Sequence, residues 1–191
     1  MLTLASASPR RKELLAHLGV EFTVNPSDID ETQKPNEGAH AYVERLAREK
    51  AAAGSGDVIL AADTSVVIDD EVLGKPGTDR ALGATMLKRL SGRAHEVLTA
   101  IAVRAGASVT SRVVSSLVHF RTLTDSEIAW YVASGEGADK AGGYALQGKA
   151  SVFITQVIGS PSNVIGLPLT ETIELLRAAG ISLPMDGGAA K

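Results

Sequence analysis

The sequence predicts an α/β fold on a mixed sheet, and three observations predict it. Short apolar runs alternate with stretches of helical period along most of the chain. Two long β-rich segments, His95 to Arg104 and Val109 to Phe120, meet around Gly106 and read as a hairpin inserted into that alternation. A continuous apolar run, Val58 to Ala62, has the pattern of a strand covered on both faces. At 191 residues the chain is one domain by length, with room for a substantial core and for two lobes.

Taken in order, Leu2-Thr3-Leu4-Ala5 reads as a brief buried strand. Leu14, Leu15 and Leu18 then mark the apolar face of a helix with Ser8 as N-cap and Pro9 as first residue, where a missing N–H costs nothing. Gly19 stops that helix, and Val20 to Val24 reads as a second strand. Asp28-Ile29-Asp30-Glu31 falls in a loop closed by Pro35 and Asn36, before an Ala-rich helix that carries Tyr42, Leu46 and Lys50 and ends at Gly54. The run Val58 to Ala62 ends at Asp63-Thr64, resumes as Val66-Val67-Ile68 and turns at Asp69-Asp70. Leu73 to Gly77 is a loop leading into a helix from about Asp79 to Leu90. Beyond the hairpin, Thr124 and Glu127 form a capping box for a helix that reaches Gly135. The glycine-rich stretch Gly135 to Gly148 also carries Glu136, Asp139, Lys140, Tyr144 and Gln147, and reads as a functional loop. A strand near Val152 to Ile158 and a helix from Pro168 to Ala179 complete a domain spanning 1–183. Residues 184–191 are expected to be a flexible tail.

Composition excludes several classes. Hydrophobic content of 45% with 21% charged residues is ordinary for a soluble globular protein. A net charge of −3 argues against a general nucleic-acid binder. The absence of cysteine rules out disulfides and thiolate chemistry. No apolar run is long enough to span a bilayer, so no membrane role is expected. Lys12, Glu13 and His17 interrupt any export signal that Arg10-Arg11 would open, and cytoplasm is the expected compartment. The chain has no phosphate-loop, dinucleotide, nucleophile-elbow or zinc-pair motif, and its four histidines lack ligand spacing. What remains is chemistry by carboxylates and an oxygen-liganded metal on an anionic substrate.

Two features point to where that chemistry sits. Arg10 and Arg11 place cations at a helix start, where the dipole favours anions, and a bound phosphate would resolve the conflict of sign. The alternative is a solvated surface pair. Asp63, read as the acid that ends an apolar strand, would stand at the carboxyl edge of the sheet, where open α/β sheets bind ligands. A turn-forming aspartate is the alternative there. Asp30, Glu31, Lys50 and Lys75 add charges suited to a metal–triphosphate.

The ordered pieces "LASASPRRKELL", "DIDE", "LAREKA", "AADT", "LGKP", "LSGRAHEV", "GEGADKAGGYALQG" and "NVIGLPL" resemble the Maf family of nucleoside triphosphate pyrophosphatases from Leu4 to about Leu176. The resemblance implies a two-lobed mixed α/β fold like that of the inosine triphosphatases, with the nucleotide in a central cleft. It implies hydrolysis between the α- and β-phosphates, with Mg²⁺ or Mn²⁺ as cofactor, and suggests a homodimer. By position, Asp63 matches the family's proton acceptor. Ser8, Arg10, Arg11, Lys50, Lys75 and Lys140 match phosphate-binding positions. Glu31 and Asp63 match metal ligands, with Asp30 as a further candidate. Arg10, Thr64 and Gln147 match specificity positions, and "ADT" with "YALQG" resembles the subgroup acting on dTTP and UTP. The amide of Gln147 donates and accepts at once, which suits a pyrimidine edge. Ser65 and Pro161 depart from the family pattern, in which Val or Ile and an aromatic are usual. The family's link to septum formation leaves a second reading, a nucleotide-binding regulator of cell division.

Overall fold

The computed structural model describes residues 1–187. The elements follow as β1 (Leu2–Leu4), α1 (Pro9–Ala16), β2 (Phe22–Val24), α2 (Ala39–Ala53), β3 (Val58–Ile68), β4 (Glu71–Leu73), α3 (Arg80–Leu90), β5 (Ala94–Ala105), β6 (Ser108–Phe120), α4 (Asp125–Ala133), β7 (Ile154–Ile158), α5 (Pro161–Ile165) and α6 (Leu169–Ala178). The strands form one seven-stranded sheet in the order β2-β1-β3-β5-β6-β7, with β4 also on β3. β1 runs parallel to β2 and β3, whereas β4 is antiparallel to β3 and β7 to β6. The sheet is therefore mixed, as the alternation and the inserted hairpin predict.

The chain divides into two compact units. The first comprises Met1–Asp63, Thr99–Val114 and Gly166–Lys191; the second comprises Thr64–Leu98 and Ser115–Ile165. In the first, Leu2 and Leu4 of β1, Leu15 of α1, Leu46 of α2, Ile59 and Leu60 of β3 and Leu176 of α6 are buried. The second packs Val66, Leu87, Leu90, Phe120, Tyr131, Tyr144 and Phe153 into its own core. Its helix α4 opens on the expected capping box, with Thr124 Oγ1 accepting from Glu127 N and the Glu127 carboxylate from Thr124 N.

Several boundaries differ from those expected. β3 does not end at Asp63 but runs unbroken for 11 residues, so that acid lies in mid-strand and not at the sheet's edge. The hydrophobic run resumes at once after Asp63-Thr64, and the ladder tolerates a polar pair whose side chains are satisfied. Strand β4 is an addition: Asp69 (φ 54°) and Asp70 (φ 61°) take the left-handed conformations of a tight hairpin and return the chain onto β3. The second strand is confined to Phe22–Val24, residues 149–153 form a 3₁₀ turn before β7, and Pro161 opens the short α5. The stretch expected to be flexible from 184 holds a 3₁₀ turn at Pro184–Asp186, with Asp186 paired to Arg177. Residues 188–191 of that stretch lie outside the described residues.

His95 in β5 carries a pH signature. It is buried, its Nε2 lies 2.7 Å from the Tyr144 hydroxyl, and its ring meets Phe120 and Tyr144 edge-on. Burial, with a smaller push from His119, lowers its pKa from 6.5 to about 4. The folded protein therefore holds His95 neutral at pH values where the unfolded chain already binds a proton. Stability is fully present above pH 6.5 and should fall by roughly 3 kcal/mol as pH drops from about 6.5 to 4. Urea melts across that range test this: His95→Gln should flatten the profile, and an equally steep decline in the variant would assign it to other groups.

Candidate active site

Helix α2 assembles one group of charged residues through its own period. Tyr42 Oη donates to the Glu31 carbonyl at 2.9 Å. One turn later Arg45 donates to Glu37 at 2.6 and 2.8 Å and to the Thr32 carbonyl at 3.0 Å. These bonds hang the acidic loop along the helix. The Arg45 hydrogen bond also holds Glu37 down at about 2, so it stays an acceptor across the working pH range. Further along the helix, Lys50 reaches two carboxylates at once: Nζ lies 2.7 Å from Glu31 Oε1 and 2.7 Å from Asp63 Oδ1.

That bridge accounts for an acid in the middle of an apolar strand. Asp63 is only 8% exposed, and a lone buried carboxylate would lose several kcal/mol of hydration. An equally buried lysine returns that loss through a charge-assisted hydrogen bond. Asp30 behaves differently from Glu31. Its Oδ1 accepts from Thr32 N at 2.9 Å, and hydrogen bonds from the Thr32 side chain and then its backbone lower its pKa. Glu31, not Asp30, thus shares a cation with Asp63.

Helix α1 brings Arg11 into the same unit. Its Nε donates to the Gly166 carbonyl at 2.8 Å and its Nη1 to Ser6 Oγ at 3.2 Å. Burial pulls the Arg11 pKa down, Asp63 pulls it up, Arg10 lowers it again and Glu31 raises it. Arg11 therefore lies within electrostatic reach of both carboxylates. A backbone carbonyl and a hydroxyl thus receive Arg11. Ser8 does occupy the N-cap position, but its side chain makes no cap bond; its N–H donates to Ser6 Oγ at 3.3 Å. Ser6 and the Gly166 carbonyl were not legible as partners, since Gly166 lies 155 residues from Arg11.

The second unit places the remaining residues. Gly142 N donates to Gly74 O at 3.0 Å, and Gly77 N to Ala138 O at 2.9 Å. Those two bonds stitch the loop of Lys75 to the loop of Lys140, 65 positions later in the chain. Lys140 Nζ is held by the Glu136 carbonyl at 2.7 Å and Asp139 Oδ1 at 2.6 Å, whereas Lys75 is exposed. Gln147 is exposed on the same glycine-rich segment. Thr64 follows Asp63 directly in β3, so the two side chains leave opposite faces of the strand.

Among the described residues there is no cluster of three or more His, Cys, Asp or Glu. Glu31 and Asp63, however, converge on one ammonium and offer hard oxygen donors. That set fits Mg²⁺ or Mn²⁺, since Mg²⁺ in phosphate-handling sites is held by one or two carboxylates plus water and substrate oxygens.

The fold is thus a mixed α/β sheet, with a lysine-bridged carboxylate pair and a helix-start arginine in the first unit and two stitched lysine-bearing loops in the second. The chain belongs to the Maf-like protein family, whose profile matches residues 1–179. It is 55% identical to a protein named dTTP/UTP pyrophosphatase from Anaeromyxobacter sp. (strain Fw109-5), over 100% of this chain and 96% of that one. It is 53% identical to the protein of the same name from Myxococcus xanthus (strain DK1622), over 96% and 95%. Among solved structures, the Staphylococcus aureus Ham1 protein matches at 15% identity with a TM-score of 0.47, covering 93% of this chain and 96% of that one. A likeness that weak decides nothing about the site. Among the described residues no helix is long and apolar enough to cross a membrane.

The bridge has a measurable energetic consequence. Lys50→Met strands two carboxylates, one of them buried, and should destabilise the protein by roughly 3–5 kcal/mol in urea unfolding. Adding Asp63→Asn should recover part of that loss. A Lys50→Met protein as stable as the parent would show that the bridge does not hold the strand and helix together.

Proposed function

We propose that the protein hydrolyses nucleoside triphosphates, dTTP and UTP foremost, between the α- and β-phosphates to give the monophosphate and pyrophosphate. The observation that carries this reading is the buried Asp63 held by Lys50 together with Glu31. The full-length similarity to proteins named dTTP/UTP pyrophosphatase supports the substrate class.

Asp63 acts as the base, taking a proton from the water that attacks the α-phosphorus. A divalent cation, Mg²⁺ or Mn²⁺, held by Glu31 and Asp63 would supply Lewis-acid polarisation of the phosphoryl oxygens. Arg10 and Arg11 bind the phosphates, with Ser8 at the same helix start. Arg11 is preorganised by Gly166 and Ser6, so little side-chain freedom is lost on binding. Lys50, Lys75 and Lys140 neutralise charge that builds on the leaving pyrophosphate. Thr64, Arg10 and Gln147 choose the base. No covalent intermediate is needed, since phosphoryl chemistry of this kind rests on positioning and electrostatics. The reading places the protein in the cytoplasm, where nucleoside triphosphates are made and used. A regulator of septum formation that merely bound nucleotide would not need a carboxylate buried in mid-strand, and that alternative is not favoured.

Incubation with a nucleotide panel and Mg²⁺ tests the reading. Pyrophosphate should appear from dTTP and UTP, with less from CTP, ATP and GTP. Asp63→Asn should lower turnover by about two or more orders of magnitude while nucleotide binding survives. Near-parental turnover in Asp63→Asn would remove Asp63 as the base, and release of orthophosphate alone would remove the pyrophosphatase assignment.

A further inference from the structure

The segment that carries Gln147 is held in a way that its sequence does not announce. Tyr131, buried in α4, receives the Ala145 N–H on its hydroxyl oxygen at 3.2 Å. The same hydroxyl donates to Glu136 Oε1 at 3.0 Å. The other carboxylate oxygen, Glu136 Oε2, accepts the Lys149 N–H at 3.0 Å. Ala145 and Lys149 stand two residues before and two after Gln147. One tyrosine–glutamate pair therefore grips the backbone on both sides of the residue that is exposed between them. Glu136 also receives Lys140 Nζ on its own carbonyl at 2.7 Å, which ties the phosphate-side lysine to the same brace.

Glycine at 148 belongs to this arrangement. A Cβ there would lie 2.3 Å from Glu136 Oε1 and 2.5 Å from its carboxyl carbon, so a side chain would push the carboxylate off Lys149. Gln147 itself makes no side-chain hydrogen bond among the described residues, so the brace acts on its backbone and leaves its amide available.

We infer that Tyr131 and Glu136 are positioning residues for base selection: they fix the backbone around Gln147 so that its amide meets the pyrimidine edge in one orientation. The inference rests on the proposed role of Gln147 in reading the base. A site that discriminates by hydrogen bonds needs its donor and acceptor held in place, because a mobile amide can turn to suit a reversed edge. Cytosine presents that reversal at one position, so the dTTP-to-CTP ratio of kcat/KM is the sensitive quantity.

Two measurements test it. Amide hydrogen exchange of the segment 144–150 should be faster in Tyr131→Phe and Glu136→Ala than in the parent. Glu136→Gln, whose amide can still accept from Lys149 and donate to the tyrosine oxygen, should stay near the parent. In kinetics, Tyr131→Phe should lower the dTTP-to-CTP ratio about tenfold, the value of one hydrogen bond, chiefly through a higher KM for dTTP. Placed in a Gln147→Ala background, the same substitution should change the ratio no further, because both act through one group. Unchanged exchange in both Tyr131→Phe and Glu136→Ala would overturn the brace. An equal loss of ratio in the two backgrounds would overturn action through Gln147. Faster exchange with a parental ratio in Gln147→Ala alone would refute base reading by Gln147 and with it the selectivity role, while the brace would stand.

Discussion

The ammonium of Lys50, 2.7 Å from both Asp63 and Glu31, is the contact on which the first unit depends. Strand β3 runs through Asp63 without a break, and the carboxylate there has a partner of opposite charge delivered by α2. The acidic loop is drawn to the same point, since Tyr42 and Arg45 anchor its backbone about two and one and a half turns earlier on that helix. Helix α2 thus contacts both the strand and the acidic loop.

A second constraint governs the glycine-rich segment of the other unit. Its glycines are required where neighbours come too close for a side chain: at Gly137 a Cβ would meet the Gly143 carbonyl oxygen at 1.9 Å. Close backbone approach lets the loop fold back on itself, and the Gly74–Gly142 and Gly77–Ala138 bonds then fasten it to the Lys75 loop. The loop is held by backbone hydrogen bonds and by one buried tyrosine. The two units thus rest on different supports, an ion pair in one and a hydrogen-bonded loop in the other.

Much of this was legible in the sequence, and the failures have physical causes. Helix α2 ends at Gly54 as its composition implies, and the Thr124–Glu127 capping box forms as read, because both signals are local. Asp63 was misplaced at a strand end because an acid in an apolar run ordinarily stops it; the partner that removes that penalty lies 13 residues away on another element. The choice between Asp30 and Glu31 was open for the same reason, since only the fold shows that one acid closes a turn and the other meets Lys50. The Gly166 carbonyl that receives Arg11 carries no sequence signal at all. Glu136 was visible as an acid in a glycine-rich loop, yet its pairing with Tyr131 and Lys149 depends on how that loop closes.

The central claim is that water, activated at Asp63, attacks the α-phosphorus. Hydrolysis of dTTP in ¹⁸O-labelled water, followed by mass spectrometry of both products, tests it directly. The account predicts the label in the nucleoside monophosphate and none in pyrophosphate. Label in pyrophosphate would place the attack on the β-phosphorus and contradict it.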